Sequence, residues 1–148
     1  MMYTLDVDAT VAGDADALWQ VWTDYDRFAE WDPREQESRL DGAFAVGAQA
    51  WSRQRGYGRN RVTLTAIEVT DPADRRWEAT TPLPGGRLVI DHRVTDLGGG
   101  RVRLAKRYTA YGPLTLLFRA YYGRRIRREL VDSFVALAAE GARVAAAR

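Results

Sequence analysis

Apolar and polar residues alternate strictly at the start of the chain. Asp and Thr separate the apolar positions, which are Tyr3, Leu5, Val7, Ala9 and Val11. A period of two is typical of a strand with one buried face. After this strand, Asp14 is a candidate N-cap for a helix, and a second short helical piece over 25–31 ends before Pro33.

Six further segments have the composition of strands and are separated by Gly, Pro and Asp residues that favour turns. The predicted strands are 35–41, 47–55, 60–70, 75–81, 87–96 and 101–110. No helical pattern lies between them. Consecutive strands are therefore predicted to pair as an antiparallel meander, because parallel pairing needs long crossover connections.

The last third of the chain changes to helical spacing. Gly112-Pro113 begins the helix, apolar residues then recur every three or four positions almost to Arg148, and Gly123 is the expected kink. The pattern predicts an α+β fold in which a curved antiparallel sheet of about six to seven strands wraps round a long C-terminal helix. Two short helices follow the first strand, and 1–148 is predicted to form a single domain.

Several short motifs carry a family resemblance. They are Gly112-Pro113 at the helix entry, the glycine-bounded segment 42–47, Leu18-Trp19, Thr23-Asp24-Tyr25, Phe28 and Trp31-Asp32-Pro33. In this order they resemble the START-like (SRPBCC) superfamily, also called the polyketide cyclase/dehydrase and lipid-transport family. The resemblance implies a helix-grip fold with a deep cavity between sheet and helix. It also implies binding of lipids, quinones or polyketide-like molecules, and in some members cyclisation or dehydration of a polyketide chain.

Composition excludes several kinds of site. The absence of cysteine excludes disulfides and thiolate chemistry, and a single histidine, His92, makes a His-rich metal site impossible. We therefore predict neither a metal nor a cofactor. No apolar run is long enough to span a bilayer, and the N-terminus does not resemble a signal peptide, so a cytoplasmic location is predicted.

The last two predicted strands place the single histidine beside the single lysine. If 98–100 forms a three-residue loop, Leu97 opposes Arg101, and His92 then faces Lys106 across the hairpin. The alternation supports this register, because a slip of one residue would bring apolar and arginine-bearing faces together.

The face shared by these residues has two interpretations. His92, Lys106 and Tyr108 are candidate catalytic groups, because neighbouring cations lower each other's proton affinity and a neutral base can then remove a proton. Alternatively, His92 is a hydrogen-bonded core residue, and Lys106 reaches the cavity mouth or pairs with an acid such as Glu78.

Binding of a small hydrophobic ligand, such as a lipid, quinone or aromatic polyketide-like molecule, is the leading hypothesis for function. A cyclase/dehydratase-type enzyme is the second. The candidate ligand-binding residues are Trp51, Trp77, Leu88, Ile90, His92, Leu104, Lys106, Tyr108, Tyr121 and Tyr122. Three other tryptophans are expected to fix the short helices to the sheet instead: Trp19, Trp22 and Trp31.

Charge suggests a third hypothesis. Residues 1–41 carry eleven acidic and three basic side chains, whereas a basic run lies on the C-terminal helix: Arg119, Arg124, Arg125, Arg127 and Arg128. This run is a candidate surface for RNA, a membrane or a protein, or it pairs with the acidic N-terminal quarter within the fold or across a dimer. Nucleic acid is not the expected partner, peripheral membrane contact stays open, and both monomer and homodimer are compatible with the sequence.

Overall fold

Seven antiparallel strands form one sheet in the computed structural model, which describes residues 1–148. The sheet order is β1-β7-β6-β5-β4-β3-β2, so β1 returns to pair with the last strand. The predicted meander is confirmed. The strands are β1 (Met2–Ala12), β2 (Glu35–Asp41), β3 (Gln49–Gln54), β4 (Gly58–Asp71), β5 (Asp74–Leu83), β6 (Gly86–Gly98) and β7 (Arg101–Tyr111).

Helices precede β2 and follow β7. Asp14 caps the first of them, since its carboxylate accepts a hydrogen bond from the Ala17 amide. The helical elements are α1 (Ala15–Thr23), a 3-10 turn (Tyr25–Arg27), α2 (Phe28–Trp31), α3 (Thr115–Leu117), a π-helical turn (Phe118–Tyr122) and α4 (Gly123–Ala146). This arrangement confirms the predicted helix-grip fold.

The irregularity expected at Gly123 takes the form of the wide turn just before it. The Gly123 amide donates to the carbonyl of Phe118, five residues back, as in a π-helix. A Cβ at Gly123 would lie 3.3 Å from the hydroxyl of Tyr3. Glycine at this position therefore lets the helix approach β1 closely.

The core lies between the concave face of the sheet, α1 and α4. Leu130 and Leu137 of α4 are completely buried. At Gly141, α4 approaches α1 so closely that a Cβ would lie 2.6 Å from Leu18. None of the helices combines the length and apolarity needed to cross a membrane.

The β6–β7 register agrees with the prediction, apart from the turn. His92 pairs with Lys106, and Ile90 pairs with Tyr108. At the turn, Gly98 rather than Leu97 opposes Arg101, with a register shift after Asp96. The expected three-residue loop is therefore wrong: the bulge removes Leu97 from the pairing.

The acidic N-terminal quarter pairs with arginines, but not with the helical run. On the outer face of the sheet, Arg107 pairs with Asp6 and Arg103 pairs with Asp8, both at 2.6 Å. From the run, Arg125 pairs with Glu129 of the same helix at 2.8 Å. Pairing of the run with the N-terminal quarter within one chain is therefore wrong, because β7 already presents arginines to those aspartates. Pairing across a dimer stays a prediction.

Candidate functional site

A cavity of about 260 Å³ lies between the concave face of the sheet and the helices. Most of its lining is apolar, but polar side chains reach it from β2, β3 and β7. We call the wall near His92 the aromatic side and the wall near Glu35 and Lys106 the charged side.

On the aromatic side, His92 is held by aromatic rings and one backbone bond. Its ring stacks on Trp77 at 3.6 Å between centroids, with 4° between the planes, and meets the edge of Trp22 at 5.3 Å. The Trp77 carbonyl can only accept a hydrogen bond, so His92 Nδ1, at 3.2 Å, donates to it. Burial, and then the charge of Lys106, lower the pKa of His92 well below its ordinary value of 6.5, so the imidazole is neutral.

On the charged side, Arg34 is buried and fully engaged. Its guanidinium donates to Tyr108 Oη at 3.0 Å, to Glu129 Oε2 at 3.1 Å and to Gln54 Oε1 at 3.4 Å. Burial alone would lower the pKa of Arg34, but these partners outweigh burial and raise it. Arg34 thus connects α4 to strands β3 and β7 through charge-assisted hydrogen bonds.

Glu35 lies beside Arg34 in the chain but faces β3. Ser52 Oγ donates to one carboxylate oxygen at 2.8 Å, and Gln54 Nε2 donates to the other at 3.0 Å. Burial raises the pKa of Glu35, although both hydrogen bonds and the charge of Lys106 oppose the shift.

Lys106 lines the cavity and is 8% exposed. No carboxylate lies within 4.0 Å of its ammonium group. Its Nζ lies 5.4 Å from the centroid of the Tyr108 ring. Burial by itself raises the pKa of Tyr108, yet the charges of Arg34 and Lys106 lower it overall. The Tyr108 hydroxyl therefore lies in a positive electrostatic potential.

A cluster of side chains connects the β3–β4 turn to α4 at one edge of the cavity. The Arg125 guanidinium lies 4.5 Å from the Tyr57 ring centroid and donates to the backbone carbonyl of Arg55 at 3.1 Å. Tyr57 and Tyr122 both line the cavity, with ring centroids 5.5 Å apart. Burial, and then the charge of Glu129, raise the pKa of Tyr57 to about 12.

Seven of the ten residues proposed to bind ligand line the cavity: Trp77, Leu88, Ile90, His92, Lys106, Tyr108 and Tyr122. Three do not. Trp51 faces outward, because Ala50 and Ser52 take the inward positions of β3, and Arg59 lies 4.7 Å over its ring. Leu104 is completely buried in the solid core, and Tyr121 is 71% exposed on the π-helical turn.

Two other expectations fail. Glu78 does not approach Lys106: it opposes Asp91 and accepts a hydrogen bond from Thr65 on the outer face of the sheet. Trp22 and Trp31, expected only to attach the short helices, also line the cavity. Each of these helices is a wall of the cavity as well as a support for the sheet.

The polar residues of the charged side were not among the predicted site residues. They are Asp32, Arg34, Glu35, Ser52 and Gln54. The available signal was alternation in β3: Ala50 faces the core, so Ser52 and Gln54 must share its face. Asp32 is held from α4 by Ser133, 101 residues away, at 3.0 Å, a contact that no local pattern predicts.

The basic run divides into one engaged residue and four free ones. Arg125 forms the contacts described above. The four that are exposed and form no ion pair within 4.0 Å are Arg119, Arg124, Arg127 and Arg128. Leu116 and Leu117, which precede these arginines in the same helical segment, are 59% and 43% exposed.

The fold and the cavity define a helix-grip protein with an internal site for a hydrophobic molecule. The chain belongs to the family described as "Polyketide cyclase / dehydrase and lipid transport", whose model matches residues 2–140. The family and the cavity together support binding of a small hydrophobic ligand. A sequence comparison with curated proteins gives no match.

Solved structures share the fold at low identity. A hypothetical protein from Helicobacter pylori has a TM-score of 0.79 at 13% identity, covering 94% of this chain and 88% of that one. The Zhui aromatase/cyclase from a Streptomyces species has a TM-score of 0.73 at 18% identity, covering 97% of this chain and 95% of that one. Norcoclaurine synthase from Thalictrum flavum, in complex with dopamine and hydroxybenzaldehyde, has a TM-score of 0.71 at 12% identity. The match covers 93% of this chain and 85% of that one.

Proposed function

We propose that the protein binds one small, ring-sized hydrophobic molecule, with its apolar part against Trp77 and its polar group near Lys106 and Tyr108. The observation that carries this proposal is a single cavity with aromatic groups on one side and hydrogen-bonding groups on the other. Its volume of about 260 Å³ is slightly below the usual range for small-molecule sites, roughly 300–1,000 Å³. The size favours an aromatic or quinone-like molecule over a lipid with long chains.

The comparison structures support a ligand of this size. Norcoclaurine synthase holds dopamine and hydroxybenzaldehyde, both single-ring molecules, within the same fold. Carriage of the ligand is favoured over chemistry on it, because the lowered pKa of His92 makes its imidazole a weak base. In the proposed complex, the ligand contacts are Trp77, Leu88, Ile90, His92, Lys106, Tyr108 and Tyr122.

Native mass spectrometry of freshly purified protein, followed by solvent extraction, tests the proposal. We expect a defined small-molecule adduct, or binding of an added naphthalene probe if the ligand is lost on purification. Leu88→Trp should fill the cavity and abolish binding. Val89→Trp places the same bulk on the other face of β6 and is the matched control. Equal probe binding by both variants would contradict an internal site.

The four free arginines favour a second candidate function, contact with an anionic membrane surface. They follow the exposed Leu116 and Leu117 along the same helical segment, and Leu117 and Tyr122 line the cavity. Cations flanking exposed leucines are complementary to anionic headgroups above an apolar interior. Contact here would bring a bilayer close to the bound ligand.

Sedimentation with vesicles tests this second candidate. We expect binding to vesicles of phosphatidylcholine and phosphatidylglycerol, weaker binding at high salt, and none to phosphatidylcholine alone. Changing Arg119, Arg124, Arg127 and Arg128 to Gln should abolish binding. The control changes four other arginines that form no ion pair: Arg53, Arg55, Arg87 and Arg101. Equal loss in both variants would indicate a net-charge effect, and binding to RNA alone would reassign the surface to nucleic acid.

A monomer suffices for the proposed site, because one chain supplies the whole lining. Light scattering after size-exclusion chromatography would distinguish a monomer from a homodimer. A cytoplasmic location remains a prediction, which cell fractionation would test.

A further inference from the structure

Lys106 is a buried lysine that lines the cavity without a carboxylate partner. It is 8% exposed, lines the cavity and has no carboxylate within 4.0 Å. Burying a charge without a partner is costly, and proteins normally pair such groups. A lysine in this position is explained if its partner is the ligand.

The carboxylates around the cavity already have other partners. Both oxygens of Glu35 accept hydrogen bonds, from Ser52 and Gln54. Glu129 pairs with Arg34 and Arg125. Asp32 has its two oxygens on Ser133 and on the Arg34 amide. Each is therefore held away from Lys106, although the charge of Glu35 still acts on it through space.

Tyr108 supplies a second donor at the same end of the cavity. Its hydroxyl oxygen accepts from Arg34 at 3.0 Å, and its own proton has no acceptor in the protein. Lys106 and Tyr108 lie two residues apart on one face of β7, so both reach the cavity from the same strand. Two donors that reach the cavity from one strand form a site for an oxygen atom with negative charge.

The aromatic side of the cavity determines what the uncharged part of the ligand can be. Trp22, Trp77 and the neutral His92 ring offer flat, uncharged surfaces. We infer that the ligand is an aromatic oxyanion, a carboxylate or an ionised phenol, whose charged oxygen binds Lys106 and Tyr108. This inference rests on the proposed function and adds the sign of the ligand's charge.

Three probes of equal ring size separate the possibilities: 1-naphthoate, 1-naphthol and the neutral 1-naphthylmethanol. By isothermal titration at neutral pH, we expect at least one of the first two to bind about tenfold or more tightly than the alcohol, as for a hydrogen bond to a charged group. Tight naphthoate binding identifies a carboxylate. Tight naphthol binding, with the absorption spectrum of the ionised phenol, identifies an ionised phenol as the ligand.

Variants test the role of Lys106. Lys106→Met should weaken binding of the acidic probe about tenfold or more and leave binding of the alcohol unchanged. Glu35→Gln should strengthen binding of the acidic probe, because it removes the carboxylate that competes for the charge of Lys106. Arg107→Met, the adjacent outward-facing cation of β7, is the control and should change neither. Lys106→Gln repeats the test if Lys106→Met fails to fold.

The outcomes distinguish failure of this inference from failure of the proposed binding of a small hydrophobic molecule. If acid and alcohol bind the parent equally, hydrophobic binding stands and the oxyanion site is wrong. The same conclusion follows if Lys106→Met weakens both probes alike. If no naphthalene probe binds and no adduct is found, the proposed function and this inference both fail.

Discussion

The two sides of the cavity bury polar groups in opposite ways. On the aromatic side, His92 gives up its charge and is held by a ring stack and one backbone carbonyl. On the charged side, Arg34 keeps its charge and has an ion-pair partner in the protein, whereas Lys106 has no such partner. Burial alone therefore does not indicate the role of a polar group. The partners do: Arg34, which is paired within the protein, supports the fold, whereas Lys106, which has no carboxylate partner, is available to a ligand.

The largest expected effect comes from Arg34→Met, because Arg34 is the structural cation of the charged side. The change leaves Glu129 without its buried partner and removes bonds to Tyr108 and Gln54. Because Glu129 keeps its pair with Arg125, we expect the free energy of unfolding in urea titrations to fall by about 1.5–3 kcal/mol, as for a lost hydrogen bond to a charged group.

Arg39→Met is the matched control for that experiment. Arg39 is exposed and pairs only with Asp41, so its loss should change the free energy of unfolding by about 0.5 kcal/mol or less. Similar effects for Arg34→Met and Arg39→Met would contradict a structural role for Arg34.

The next largest effect concerns the pH dependence of stability on the aromatic side. The folded protein keeps His92 neutral, whereas the unfolded chain takes up a proton as the pH falls below 6.5, the ordinary pKa of histidine. Stability from this group is complete above that pH and falls below it by about 1.4 kcal/mol per pH unit until the folded pKa is reached. Urea unfolding at several pH values measures this slope.

His92→Asn isolates that slope, because asparagine does not titrate and can still donate to the Trp77 carbonyl. Glu35 contributes with the opposite sign: its raised pKa makes the folded state gain stability as the pH falls through it. We therefore expect the advantage of the parent over His92→Asn to shrink below pH 6.5. An advantage independent of pH would show that His92 is not held neutral.

A smaller effect, of opposite sign, is expected for Lys106→Met. Without ligand, the variant removes an unpartnered buried charge and keeps a side chain of similar length. We expect the free energy of unfolding to rise by about 0.5–2 kcal/mol, as when a functional residue is replaced by one that suits the fold better. A strong loss of stability would assign Lys106 to the structural class and remove its contrast with Arg34.

The smallest effect is expected at the edge of the cavity. Arg125→Gln loosens the contact between Tyr57 and α4 without exposing a buried charge. We expect faster dissociation of a bound naphthalene probe in stopped-flow measurements, with little change in stability, because Arg125 is partly exposed. Arg124→Gln, its exposed neighbour, should leave the dissociation rate unchanged. Equal rates in all three proteins would mean that Arg125 does not restrict the exit of the ligand.

Local pattern alone determined most of the architecture. Alternation with period two placed His92, Lys106 and Tyr108 on one inward face, and the cost of slipping the arginine face inward determined their register. The change to helical spacing after Gly112-Pro113 predicted the long helix. These inferences succeed because strand and helix periods depend on residues close together in the chain.

Tertiary structure alone decided which inward residues meet the cavity and which polar groups meet each other. Leu104 and Lys106 share a face of β7, but only Lys106 reaches the space that α4 leaves open. The bond from Arg34 to Glu129 joins residues 95 positions apart, and Asp32 meets Ser133 across 101. Such contacts depend on how a helix crosses a curved sheet. The packing of the whole core sets that geometry, so the spacing of residues along a single strand or helix cannot predict it.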